Sequence, residues 1–204
     1  MKFIKNIFLP LLFFTISFAR ADGVGGAFIE PILTYEKGTG EVDFPSPINS
    51  SSTDINGFGI GARLGLHVFD TIFLGLDGRY SMPKFEDSSL GQEIRAKAWN
   101  YGPVVGLQMP TSIALRVWAG YIFDGRLDPD KDKNVNEKFT DAHGYRIGAG
   151  VKLGIVSLNL EYQDLRYDNT DINEVGIFNP GYSTSNIHLD TSSWVLSASF
   201  PIGI

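Results

Sequence analysis

The chain has 204 residues, 43% hydrophobic and 20% charged, with 17 Lys+Arg against 23 Asp+Glu and no cysteine. A net charge of −6 without a basic block is unlike a nucleic-acid binder, and the lack of cysteine excludes disulfides, thiolate metal sites and cysteine nucleophiles. Aromatic residues at 13% argue against disorder, and the length suits one domain or two small ones.

Residues 1–21 read as a cleaved signal peptide. Lys2 and Lys5 precede an apolar run over residues 7–19 that only Pro10, Thr15 and Ser17 interrupt, and Ala19-Arg20-Ala21 fits the small-x-small cleavage pattern. The run is too short for a membrane helix, which needs about 20 apolar residues. Residues 22–204 are expected to form one exported domain.

From there the pattern has period two, the mark of strands. Phe58, Ile60, Ala62, Leu64, Leu66 and Val68 hold one parity, while Gly57, Gly59, Gly61, Arg63, Gly65 and His67 hold the other. Ile72, Leu74, Leu76, Tyr80 and Met82 next face Phe73, Gly75, Asp77, Arg79 and Ser81. Similar alternation around residues 113–124 and 144–153, with further runs beginning near Ala27, Asn100, Val156 and Ser193, makes eight strands. Tight hairpins are expected at Asp70-Thr71, Pro110-Thr111 and Gly154-Ile155. The other four connections, near 38–56, 84–93, 125–141 and 168–186, are polar and read as long loops. Short turns at one end and long loops at the other define an all-β, antiparallel, up-and-down meander whose even strand number lets it close into a barrel. Pro31 and Pro103 fall within strands, where a missing N–H predicts local irregularity.

Alternation alone does not say which face is inside. Three features place the apolar face outward, in lipid. The polar face is glycine-rich, as a crowded eight-stranded interior requires. It carries both signs of charge at mid-strand, in Glu30, Asp77 and Glu161 with Arg63, Arg79, Arg116, Arg146 and Lys152, and Asp124 near the rim. The apolar face bears one bulky ring per strand at the long-loop end: Tyr35, Phe58, Tyr80, Tyr101, Tyr121, Tyr145, Tyr162 and Trp194. Rings at one level form the interfacial girdle of a membrane barrel. The outer parity of the last strand starts with His188, Asp190 and Ser192, so that stretch is expected above the bilayer.

This pattern resembles the eight-stranded outer-membrane β-barrel superfamily, which includes the OmpA transmembrane domain, OmpX and opacity-type surface proteins. The resemblance is architectural and runs from Gly25 to Ile204. It implies a Gram-negative outer membrane, contact with lipid and lipopolysaccharide, and delivery by periplasmic chaperones to the barrel assembly machinery. Members usually end on phenylalanine, whereas this sequence ends on Ile204. A peptidoglycan-binding domain after the barrel is not expected, and the barrel is expected to be monomeric.

The lumenal charges read as a salt-bridged plug, with an ion path as the alternative. Five bases against three acids at mid-strand would tilt such a path towards anions. No catalytic residue, cofactor or metal site is expected. His143 and His188 lie on the outer parity near the loops without a His-x-Ser pair, and His67 reads as packed in the lumen. A calcium loop beginning at Asp128 would need glycine at its sixth and glutamate at its twelfth position, where this sequence has Lys133 and Phe139. The expected role is structural or surface interaction through four displayed loops. A narrow pore for ions or small solutes is the first alternative, and a secreted soluble barrel holding an apolar ligand the second.

Overall fold

The computed structural model describes residues 24–46, 50–69, 71–87, 92–130, 135–175 and 181–204. The expected signal segment 1–21 lies outside them. The strands are β1 (Val24–Asp43), β2 (Ser51–Val68), β3 (Ile72–Asp87), β4 (Gln92–Gln108), β5 (Ile113–Ile122) and β6 (Asp124–Pro129). They continue as β7 (Val135–Leu153), β8 (Val156–Val175), β9 (Tyr182–Thr184), β10 (His188–Ser199) and β11 (Ile202–Gly203).

All pairings are antiparallel, successive wall strands lie side by side, and β1 meets β10 from Ile32↔Ser199 to Asp43↔His188, which closes the sheet. The β5 and β6 strands form one broken wall strand, since both pair with β4 and β7. The β10 and β11 strands form another against β1, and β9 only extends β8. Among the described residues the wall therefore has eight strands, and the closed ring leaves none of the eight as an edge strand.

At the short-turn end, β7 and β8 are joined by Gly154-Ile155, where Gly154 takes φ +63°, a conformation costly for other residues. The β2–β3 link passes through Phe69, and Thr71 N–H donates to the Val68 carbonyl at 3.4 Å. The β4–β5 link uses residues 109–112, longer than the two-residue turn expected at Pro110-Thr111.

Both prolines interrupt the wall. Opposite Pro31, residues 200–201 separate β10 from β11, and Phe200 N–H donates to the Pro31 carbonyl at 3.0 Å. Beside Pro103, β4 pairs in the register Val104↔Gly120 on one side and Tyr101↔Asp124 on the other. The second register carries one extra residue, so a bulge sits at residues 121–123.

The four long loops are shorter than expected. Strand pairing continues through most of 38–56, 84–93, 125–141 and 168–186, leaving residues 44–50, 88–91, 130–134 and 176–181 between β1 to β9. Their polar composition suggested irregular structure, but the polar residues alternate there with apolar ones that point inward. Ala96, Ala98, Ile122, Leu127, Phe139, Ala142, Leu165, Tyr167 and Leu189 form a buried cluster inside this upper part. On β8, outward Leu158, Leu160 and Tyr162 give way to Asp164 and Arg166, while inward Asn159, Glu161 and Gln163 give way to Leu165 and Tyr167. Side-chain parity is kept and polarity inverts.

Candidate functional site

The middle of the barrel holds a buried polar network. Glu30 on β1 accepts from Arg116 Nη1 at 2.6 Å, from Arg63 Nη1 at 3.4 Å and from Ser199 Oγ at 2.6 Å. Asp77 on β3 accepts from Arg63 Nη2 at 2.8 Å, from Arg79 Nε at 2.8 Å and from Arg146 Nη1 at 2.9 Å. Glu161 on β8 accepts from Arg79 Nη2 at 2.8 Å, from Ser197 Oγ at 3.0 Å and from Trp118 Nε1 at 3.4 Å. Arg146 also donates to Asn100 on β4 at 2.9 Å. Every one of the eight wall strands thus contributes a member.

These groups are almost fully withdrawn from solvent: Glu30 is 0% exposed, and Arg63, Arg116 and Glu161 are each 1%. Charges so buried persist only when paired and hydrogen-bonded, and each carboxylate here meets at least two donors. The Arg63 and Arg116 guanidinium groups also lie over Phe73 and Trp118, 5.0 to 5.8 Å from the ring centroids. Glycine makes this crowding feasible. A Cβ on Gly106 would stand 2.2 Å from the Phe73 ring, and one on Gly148 would stand 2.4 Å from Trp118.

Seven of the nine charged residues predicted for the lumen meet in this network: Glu30, Arg63, Asp77, Arg79, Arg116, Arg146 and Glu161. Lys152 does not join it. It lines the open mouth at the short-turn end with His67, Gln108 and residues 109–112. Asp124, expected inside, faces outward and accepts from Tyr101 Oη at 3.0 Å, because the bulge beside Pro103 shifts its parity. Glu36 was missed. It accepts from Ser193 Oγ at 2.6 Å and from Gln163 Nε2 at 3.4 Å inside the barrel. It shares the parity of Glu30, which is the signal that would have found it. Four arginines therefore face Glu30, Glu36, Asp77 and Glu161 inside the wall, and the expected excess of positive charge is gone.

The predicted aromatic residues stand on the outer face at one level. Tyr35 and Phe58 have ring centroids 4.9 Å apart, Tyr145 and Tyr162 6.2 Å, and Tyr162 and Trp194 5.4 Å. Tyr80, Tyr101 and Tyr121 continue the belt as exposed rings. Of two rings that were not predicted, Trp99 stacks on Tyr101 at 5.8 Å and Phe123 meets it edge-on at 4.7 Å. Below the belt Leu74, Val117 and Ile147 are half-exposed, at 49%, 50% and 49%, in an unbroken apolar band. His67 packs against Phe28 at 4.7 Å, and His143 Nδ1 lies 3.3 Å from Asp168 on the outer surface. Among the described residues no group of three His, Asp or Glu could hold a metal ion.

Residues 7–200 match the family model described as outer membrane protein beta-barrel domain. The chain belongs to that family. It is a β-barrel protein of the Gram-negative outer membrane, with its apolar band in lipid and its polar network in the lumen. No curated protein sequence matches it. Among solved structures it is similar to the outer membrane protein OprG from Pseudomonas aeruginosa, with a TM-score of 0.51, 10% identity, and 89% of this chain and 98% of that chain covered. Neisserial surface protein A aligns with a TM-score of 0.46 at 14% identity over 88% of this chain and 99% of that one. Ail of Yersinia pestis, solved with the heparin analogue sucrose octasulfate, aligns with a TM-score of 0.45 at 12% identity over 87% and 99%.

Proposed function

We propose that this protein is a non-conducting wall element of the outer membrane, whose lumen is plugged by its salt-bridged network and whose upper rim serves surface interaction. The observation that carries this is the buried network to which every wall strand contributes. Two spaces beside it are about 10 Å³, next to Asp77 and Arg146, and about 20 Å³, next to Glu36 and Gln163. Each is enough for about one water molecule and too small for a hydrated ion.

A bilayer-spanning wall of this kind offers function at its loops, where a rigid scaffold presents variable segments. On this reading residues 1–21 are removed on export, chaperones and the assembly machinery deliver the barrel, lipopolysaccharide surrounds its outer half, and the barrel works as a monomer. The test is single-channel conductance of the refolded protein in a planar bilayer, with a heat-modifiable gel shift establishing that it has folded. The expected result is a folded, silent protein. Discrete steps whose size changes in Arg63→Ala or Arg146→Ala would overturn the plug and make the network the lining of a narrow pore.

A further inference from the structure

Above the charged network the barrel interior opens into a cavity of about 160 Å³. Its walls are Val42, Phe85, Ile94, Leu127, Phe139 and Leu189, contributed by strands from around the ring. Its floor is the buried apolar cluster. Space of this kind is costly to leave to water, which needs two to four polar partners to settle. An apolar cavity of about 150 Å³ is enough to take up a benzene ring.

Two polar residues, Thr53 and Glu137, interrupt the apolar lining. Glu137 points inward with Phe139, on the same parity of β7 and next to a register shift between Asn136 and Glu137. Its carboxylate is half-buried and, among the described residues, has no hydrogen bond or ion pair. Burial pushes this carboxyl above its ordinary value of 4.5, and no cation among the described residues offsets the loss of water. Among the described lining residues it is also the one titratable group.

We infer that this cup is a binding site for a small ring-bearing amine, whose apolar body fills the cavity and whose ammonium donates to Glu137. The apolar walls supply affinity by removing the ring from water, and the single acid supplies orientation and charge preference. A fatty acid or other anion is disfavoured because its carboxylate would face Glu137. The site lies outside the membrane band and does not depend on whether the lumen beneath it conducts.

The experiment uses the folded protein in lipid nanodiscs and isothermal titration with two probes of matched shape, benzylamine and benzyl alcohol. Benzylamine is expected to bind about tenfold more tightly, since its ammonium gives Glu137 a charge-assisted hydrogen bond where the alcohol offers only a neutral one. Glu137→Gln should abolish that preference while leaving benzyl alcohol unchanged. Val42→Trp, or Ile94→Trp if the first fails the gel-shift test for folding, should fill the cavity and weaken both probes. Equal binding of the two probes by the unaltered protein, or a preference that survives Glu137→Gln, would overturn the amine assignment. Uptake no greater than that of empty nanodiscs, or unchanged by the tryptophan variants, would overturn the site itself.

Discussion

The two halves of this barrel share one wall and one hydrogen-bonded ladder but are built inside out relative to each other. Below the aromatic belt the wall is apolar outside and its lumen holds four arginines with their carboxylates. Above it the outer face carries Asp54, Lys84, Arg95, Lys97 and Arg166, and the interior is an apolar core around Phe139 and Leu189. Both are built from antiparallel strand pairs, so the kind of pairing does not distinguish them. The surrounding medium does. Lipid accepts no charge and leaves the interior as the place for polar side chains, whereas water takes the charges and leaves the interior for hydrophobic burial.

If the halves obey these two rules, they should fail differently. The largest effects should come from their interiors. Arg63→Ala strips Asp77 of two donors and Glu30 of one, and removing one partner of a buried pair costs about 3–5 kcal/mol. The unfolding midpoint in urea should fall accordingly, and an unchanged midpoint would mean the network contributes nothing to stability. Phe139→Ala should cost a comparable ~3–5 kcal/mol through cavity formation. Because Phe139 lies in the upper cluster, the loss should show first as faster amide exchange in residues 137–142 and 165–170, with the membrane-embedded strands still protected.

Next come the outer faces. Leu74→Arg places a charge on the lipid-facing wall, at a cost of about 2–4 kcal/mol near the midplane. The same change at Asn56, on the outer parity above the belt, should cost less than ~0.5 kcal/mol as a solvated surface substitution. Equal folding yields for the two variants by heat-modifiable gel shift would erase the proposed boundary.

The smallest effect is electrostatic. A carboxyl whose folded value is raised binds a proton more readily folded than unfolded. Glu137 therefore adds stability below its ordinary value of 4.5 and loses it as pH rises through the raised value. The pH dependence of the unfolding midpoint across that window should flatten in Glu137→Gln.

Much of the lower half was legible because strand parity is a local property. Arg63, Asp77, Arg79, Arg116, Arg146 and Glu161 fell on the glycine-rich parity and all reached the lumen. The ring-bearing positions likewise fell on the other parity. What escaped were features that need a partner strand to define them. Asp124 left the lumen because Pro103, on the neighbouring strand, breaks the ladder beside it and inserts a residue. The upper strands looked like loops because their composition is polar, their outer face there meeting water instead of lipid. Trp118, Asn100, Ser197 and Ser199 are neutral residues whose part in the network appears only once Glu30, Arg146 and Glu161 stand beside them.

The sequence by itself determined the number of strands, the alternation of their faces, most of the outer ring of aromatics and most of the charges that reach the interior. Each of these follows from the two-residue repeat of an extended chain. The tertiary structure decided which charges meet, where the wall leaves the membrane, and that an apolar cup with one acid lies above a charged layer. Those depend on register and closure, which bring residues as far apart in sequence as Glu30 and Ser199 within hydrogen-bonding distance.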